Sequence, residues 1–380
     1  MRSESDGPGG ANAPAEPDAR AERSREAANE AALARMREQG IVRLRVPTPF
    51  AVGRVNCYLI EDDPLTLIDA GPNSGKALDE LGRQLAEAGH RVEDLELIVI
   101  SHQHIDHLGL VDVIRRRSGA EVAVIAEAVD YVENFGADAE RDDEHSAALM
   151  RRYGVPDDLV EALRSVSGSF RGWGAATRVD RPLQDGGELA LRDHRYEVQL
   201  RPGHSPSDTL FWDAERSTLI AGDHLIAHIS SNPLLSRPLD GSSERPKALV
   251  NYLGSMLRTR ELDAELVLPG HGYPITDHRR LIDERFEGHR RRAAKLEALI
   301  AAETRTPYEL AQAIWGNVAV TQAFLTLSEV VGHVDLLIDA GRVRERVEGE
   351  VVSFEHTGGE ADIPLLGADT RAGPLGRLDA

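Results

Sequence analysis

The stretch Leu95-Glu96-Leu97-Ile98-Val99-Ile100-Ser101-His102-Gln103-His104-Ile105-Asp106-His107 decides how the rest of the chain is read. Its first six residues are apolar enough to form a buried strand, and four candidate metal ligands then follow between 102 and 107. A strand end that feeds a ligand-rich turn presents donors from a rigid base. Three imidazoles and one carboxylate suit a borderline divalent ion such as zinc, and exceed what one tetrahedral protein site usually takes. The run therefore predicts two metals, or one metal with further donors beside it. The alternative is a solvated His-rich turn, and clustering directly behind a buried strand weighs against it.

Outward from this turn the chain alternates strands and helices. Arg43 to Val46, Val55 to Ile60 and Leu65 to Ile68 read as strands, the last ending in Asp69-Ala70-Gly71-Pro72. Ser74 to Ala88 is an amphipathic helix with Leu78, Leu81 and Leu85 on one face, stopped by Gly89. A helix over Leu108 to Arg117 and a strand over Glu121 to Ile125 follow. This alternation indicates an α/β layered domain. Residues 126–168 turn polar and helical, an insertion that fills the long interval before His204 as a lid or pocket wall or, alternatively, as a surface excursion, with Tyr131 and Phe135 either pocket residues or core packing of that helix. Strands at Glu197 to Leu200, Thr218 to Ala221 and Leu266 to Leu268 then end at His204, Asp223 and Pro269-Gly270-His271-Gly272. Beyond them come a charged helix over 278–302, a capping box at Thr306-Pro307-Tyr308-Glu309, a helix near 323–340 and a ribbon over 342–354. Three helices and a ribbon form the pattern of a small winged-helix domain. The expected division is a disordered tail over 1–36, a catalytic domain over 37–290, the winged-helix-like domain over 291–356 and a loose tail over 357–380.

Composition narrows the class. The 380 residues can bury a sizeable core, and 41% hydrophobic with 28% charged residues is ordinary for a soluble globular protein. No apolar run reaches the roughly 20 residues that span a bilayer, and the N-terminus lacks a signal-peptide core. Cys57 is the single cysteine, read as a small core residue, and a reducing cytoplasm is the expected location. Forty-four basic against 64 acidic residues give a formal charge of −20, which opposes phosphate backbones at long range. The stretch from Thr321 to Ala340 has no Lys or Arg, so the C-terminal unit is expected to pack, dimerise or line a substrate pocket, not to read nucleic acid. His90, His145, His194, His278 and His289 lack motif context and are expected at the surface. His224 and His228 could protonate a leaving group, although packed or solvent-facing roles are favoured.

Five ligand turns at strand ends now stand in order: Asp69, the 102–107 run, His204, Asp223 and His271. The set Leu67-Ile68-Asp69-Ala70-Gly71, His102-Gln103-His104-Ile105-Asp106-His107, Pro202-Gly203-His204-Ser205-Pro206, Ala221-Gly222-Asp223-His224 and Pro269-Gly270-His271-Gly272 resembles the metallo-β-lactamase superfamily over about 41–290. With its C-terminal part, the chain resembles most the branch that holds β-lactamase-like endoribonucleases and related thioester hydrolases. The resemblance implies an αββα sandwich with two zinc ions at one edge of the sheets. It implies His102, His104 and His204 on one ion, Asp106, His107 and His271 on the other, Asp223 bridging both, and Asp69 orienting ligands from behind. Two ions about 3.5–4 Å apart would acidify a shared water, with Asp106 and Asp223 as the catalytic carboxylates. Iron or manganese stays open, because ligand type alone rarely selects the metal.

One departure stands out. Many relatives carry a second histidine four positions after the His204 equivalent; here it is Asp208, which either accepts a bond from a ligand imidazole or caps the next turn. The expected function is hydrolysis of an ester, thioester or lactone-type bond in a small molecule. The alternatives are an endoribonuclease with the same metal site, an iron-dependent sulfur oxygenase, and a regulatory protein with a vestigial site. A homodimer is compatible with all of them.

Overall fold

The computed structural model of the chain describes residues 19–366. Helix α1 (Ala19–Glu38) leads into strands β1 (Ile41–Val46), β2 (Val55–Ile60) and β3 (Thr66–Ile68). Helix α2 (Gly75–Glu87), strand β4 (Leu97–Val99), helices α3 (Ile105–Leu108) and α4 (Val111–Ser118) and strand β5 (Glu121–Ile125) complete the first half. The insertion supplies α5 (Val129–Glu133), α6 (Phe135–Arg152) and α7 (Asp157–Phe170). Strands β6 (Arg181–Leu183), β7 (Glu188–Ala190), β8 (Arg195–Leu200), β9 (Thr209–Asp213) and β10 (Thr218–Gly222) come next, then α8 (Ala248–Arg260) and β11 (Leu266–Pro269). Helices α9 (His278–Ala302), α10 (Pro307–Trp315), α11 (Val318–Thr321) and α12 (Ala323–Asp339) and the hairpin β12 (Val343–Glu348) and β13 (Val351–His356) close the chain.

The strands form two sheets, ordered β1-β2-β3-β4-β5-β6 and β11-β10-β9-β8-β7. Alternation along the strands fixes how they pack. Phe211, Ile220, Leu266 and Leu268 join the core shared with the first sheet, while Leu210, Trp212, Leu219, Ala221 and Val267 face α8 and α9. Successive side chains point to opposite faces, so both faces of the second sheet are covered, one by the other sheet and one by helices. The first sheet is covered likewise, with Leu81 and Leu85 of α2 and Val111 and Ile114 of α4 in its core. This is the αββα sandwich that the resemblance implies. A bridge between Val55 and His271, with Asn56 N–H donating to the Gly270 carbonyl at 2.7 Å, locks the sheets together beside the ligand turns.

Local signals set the helix ends. Ser74 Oγ accepts from Ala77 N–H at 3.1 Å and so caps α2. At α10 the capping box forms in both directions, Glu309 N–H to Thr306 Oγ1 at 3.2 Å and Thr306 N–H to a Glu309 carboxylate oxygen at 2.8 Å. The order of three longer helices and a ribbon is found as expected. The insertion does not stand apart from it: Met150 and Tyr153 of α6 and Val160 of α7 share one core with Leu296, Leu310, Leu327 and Phe354.

The expected tail over 1–36 needs correction from Ala19 onward. Ala32 and Met36 of α1 are buried, and Arg35 donates to the Arg216 carbonyl. An Ala-, Glu- and Arg-rich composition suits disorder, but also ranks high in helix propensity, and residues four apart share one face. Residues 1–18 and 367–380 lie outside the described residues, and with them that part of both expected tails.

Candidate metal centre

Five strand ends from both sheets bring the histidines and carboxylates together. Asp69 follows β3 in a left-handed conformation, φ 61°, which a short polar side chain tolerates. His102 and His104 lie on the turn after β4, and Asp106 and His107 on α3. His204 follows β8, Asp223 follows β10 and His271 follows β11. Three donor groups lie close enough to share an ion: His102, His104 and His204; His102, His107 and Asp223; Asp106, His107 and His271.

The hydrogen bonds behind these residues decide which ring nitrogens face the centre. His107 Nδ1 lies 2.8 Å from Asp69 Oδ2, His204 Nδ1 lies 3.1 Å from the Asn232 carbonyl and His271 Nδ1 lies 3.0 Å from the Arg54 carbonyl. Each partner can only accept, so each Nδ1 carries the hydrogen. Ser101 Oγ donates to Asp69 Oδ2 at 2.8 Å and therefore accepts from His102 Nδ1 at 3.0 Å. Four Nε2 atoms are thus turned inward. His104 offers Nδ1 instead, 3.1 Å from His102 Nε2 and 3.0 Å from His204 Nε2. Donors of a tetrahedral site with metal–nitrogen bonds of about 2.0–2.1 Å lie about 3.3 Å apart, close to this triad.

The second group is similar. His271 Nε2 lies 3.3 Å from Asp106 Oδ2 and 3.4 Å from Asp223 Oδ2, and His107 Nε2 lies 3.5 Å from Asp223 Oδ1. His107 Nε2, His271 Nε2 and Asp223 Oδ1 are buried without a hydrogen-bond partner. Buried polar atoms are rarely left so, and three that converge fit a divalent ion. Gly270 is required here, since a Cβ would stand 2.2 Å from Asp223 Oδ1 and 2.8 Å from His107 Cε1.

Electrostatics agree with neutral rings at His102 and His104. Burial, then neighbouring His107 and His104, hold His102 well below the usual range, and burial with His204 pushes His104 down to about 3. In the second group burial also disfavours charge on His107 and His271, but Asp69 beside His107 and Asp223 beside both outweigh it, raising His271 to about 10. Three buried carboxylates there favour positive charge, which a metal pair would supply.

Asp208 does not reach a ligand imidazole. Its carboxylate accepts from Ser205 N–H at 3.1 Å and Ser205 Oγ at 2.7 Å, closing the turn after His204, and burial pushes it up to about 6. Of the two readings of that position, the turn cap is the one found. His224 is packed, its Nε2 3.0 Å from Thr259 Oγ1, whereas His228 is exposed. His194, His278 and His289, expected at the surface, are buried. His194 is clamped between Asp62 at 2.7 Å and the Gln39 carbonyl at 2.9 Å, and His289 meets His333 at 3.1 Å. Their partners are distant in sequence, so no local motif marks them. Ser101, Asn232 and the Arg54 carbonyl also escaped the sequence reading. Only Ser101 had a signal, its position before the first histidine.

Above the centre opens a cavity of about 670 Å³. His104, Asp106, His204 and Asp223 form its floor, and α6, α7, the segment after β10 and the start of α12 form its walls. Tyr131 lines it, while Phe135 lies in the core behind. Among the described residues no helix is long and apolar enough to cross a membrane.

Comparisons with known proteins agree with this geometry. Residues 51–271 match the sequence model described as the Metallo-beta-lactamase superfamily. The chain is 33% identical over 322 residues to the probable metallo-hydrolase YqjP of Bacillus subtilis, covering 84% of this chain and 99% of that relative. It is 24% identical over 234 residues to the hydroxyacylglutathione hydrolase GloC of Haemophilus influenzae, covering 59% of this chain and 88% of that protein. Among solved structures, a metallo-beta-lactamase family protein from Thermus thermophilus superposes with a TM-score of 0.70 at 27% identity, covering 84% of this chain and 99% of that one.

Proposed function

We propose, from the premise that the chain belongs to the metallo-β-lactamase superfamily, that it is a dinuclear metal hydrolase of small esters, thioesters or lactones. The observation that carries this reading is the set of four imidazoles whose Nδ1 hydrogens are all engaged from behind, so that their Nε2 atoms face inward, His102 and His204 towards His104 Nδ1, His107, His204 and His271 towards Asp223, and His271 also towards Asp106. In it His102, His104 and His204 would hold one ion, Asp106, His107 and His271 the other, and Asp223 would reach both. Zinc suits these nitrogen and oxygen donors. When bound, such a metal pair acidifies a water and stabilises the oxyanion that develops on the attacked carbonyl.

The chain's own residues supply the rest. Asp69 locks Ser101 and His107, and Ser101 in turn orients His102. Asp106 stands on the floor of the cavity, where its carboxylate can orient an attacking water. No Ser or Cys nucleophile is needed. GloC is named for hydrolysis of a thioester-type substrate, hydroxyacylglutathione, which supports a bond of this class here. Binding of nucleic acid is disfavoured: α12 has no Lys or Arg, and its Asp335 is already paired with Arg245 at 2.6 Å. We further propose that the protein acts in the cytoplasm.

Metal quantification on the purified full chain, followed by an ester, thioester, lactone and RNA panel, tests this reading. About two zinc ions per chain with cleavage of an acyl bond are expected. One iron per chain with oxygen consumption, or salt-sensitive cleavage of single-stranded RNA in place of acyl hydrolysis, would overturn it.

A further inference from the structure

We infer that the bond cleaved at this site belongs to an ester or thioester that carries a bulky apolar group, and that this group occupies the cavity between α6, α7 and the start of α12. The inference rests on the hydrolase reading and adds a substrate class to it.

The cavity's size, about 670 Å³, is that of a small-molecule site. Its polarity is divided. The metal-binding side chains lie on the floor, and the walls above carry Met150, Leu163, Phe170 and Phe324. At the rim the pattern continues into solvent. Val166 of α7, Ile229 of the segment after β10 and Leu325 of α12 are 53%, 38% and 41% exposed. They come from three separate segments, yet all border this one opening. Apolar side chains gathered around a mouth mark a surface that a ligand covers.

Charge points the same way. Apart from the floor, the charged residues that line the cavity are Asp143 and Arg164. Asp143 accepts from Ser167 Oγ at 2.5 Å and pairs with Arg171 Nε at 2.9 Å, while Arg164 lies 3.8 Å from Glu144. Asp143 is countered by Arg171, and Arg164, partly exposed, is the one cation among the described wall residues; the remaining wall residues are uncharged. The polar, cleavable carbonyl therefore belongs at the floor and an uncharged apolar group in the chamber. That group can sit on either side of the scissile bond. The chemistry is hydrolysis in both cases. A water oxygen bonds to the acyl carbon and the C–O or C–S bond breaks. One water proton goes to the leaving alcohol or thiol, and the other is released as the acid product ionises. Water is the only co-reactant.

Two substrate series on the zinc-loaded full chain test the inference. One runs acetyl, butanoyl, hexanoyl and octanoyl thioesters of N-acetylcysteamine; the other runs ethyl to octyl acetates. In at least one series kcat/KM should rise about fourfold per methylene, the value of about 0.8 kcal/mol for a buried CH₂, until the chamber is filled. The series that rises identifies the side of the bond. Ser146→Phe, on the cavity side of α6, should lower the octanoyl-to-acetyl or octyl-to-ethyl ratio at least tenfold. As a readout independent of turnover, octanoate should displace an environment-sensitive naphthalene dye from the same protein. Hydrolysis of the shortest members with no gain from chain length would sink the substrate class and leave the hydrolase reading intact. Dye displacement without hydrolysis of either series would sink the hydrolase reading, and the assignment that rests on it.

Discussion

Replacing Asp69 by Asn tests the tautomer argument on which the metal centre depends. Asp69 receives three donors, Ser101 N–H on Oδ1 at 2.8 Å and both Ser101 Oγ–H and His107 Nδ1–H on Oδ2 at 2.8 Å. Asn keeps the shape and tolerates the left-handed backbone at φ 61°. The Ser101 amide cannot turn round, so the Asn oxygen must face it, and the NH₂ group then faces Ser101 Oγ and His107. His107 Nδ1 would have to accept, which puts its hydrogen on Nε2 and aims it at the centre. Ser101 Oγ, now receiving a hydrogen, would direct its own at His102 Nδ1, 3.0 Å away, and reverse that ring as well. Metal binding must undo both changes and forfeit about two hydrogen bonds, at about 1 kcal/mol each. The total of about 2 kcal/mol corresponds to roughly 30-fold weaker binding, inside the 10–100-fold typical of residues that support ligands from behind. Competition for zinc against a chromophoric chelator measures this, with thermal melting of the metal-free protein as the check on folding. Zinc affinity within twofold of the parent chain would refute the tautomer assignment.

Three further outcomes are expected. His104→Ala should abolish acyl hydrolysis and lower the bound metal count together, because His104 Nδ1 is within 3.1 Å of both His102 and His204; hydrolysis near the parent rate would show that the triad holds no catalytic ion. Gly270→Ala should cost about 100-fold in kcat, as a shift of about 1 Å in Asp223 or His107 would; single-turnover kinetics with the metal content measured alongside would show it. Asp62 is raised by burial but pulled down to about 2 by His194 and by the N–H groups of Asp63, Asp193 and His194. Its folded value lies below its unfolded value near 4, so it adds about 2 kcal/mol of stability above pH 4 that is lost as pH falls towards 2. Asp62→Asn should remove that contribution, and urea unfolding at pH 7 and pH 3 should show a smaller difference for the variant than for the parent.

What was legible in the sequence was local. The five strand-end turns each announce themselves by a ligand beside a bend, and α10 by the reciprocal Thr306–Glu309 box. The partners that orient the ligands were not legible. The Asn232 and Arg54 carbonyls accept from His204 and His271, and a backbone carbonyl carries no side-chain signature at all. His194 and His289 were misplaced for a related reason. An imidazole reads as polar unless its partner is known, and Asp62 and His333 lie 132 and 44 positions away. Helix α1 shows the reverse ambiguity, since its composition suits both a helix and a tail and only the docking of Ala32 and Met36 decides.

This division between local and distant signals follows the division of labour in the fold. The ligand turns are cross-tied by backbone bonds to one another and to neighbouring strands, among them Gly270 N–H to the Gly222 carbonyl at 2.6 Å, Thr209 N–H to the Ser101 carbonyl at 2.9 Å and Ala70 N–H to the His107 carbonyl at 2.8 Å. Such ties leave little room for the donors to move, which suits a centre whose donors must be held within a few tenths of an ångström. The cavity walls are built otherwise. They are helices that share a core with the C-terminal unit, and the segment after β10 is tethered to α12 through Asn232 Nδ2 to the Leu325 carbonyl at 2.9 Å and through Arg245 to Asp335. Side chains on α6, α7 and α12 can therefore change size without disturbing the strand-end turns. On the reading proposed above, the chain can keep one hydrolytic centre while the apolar group it accepts is set by the helices above it.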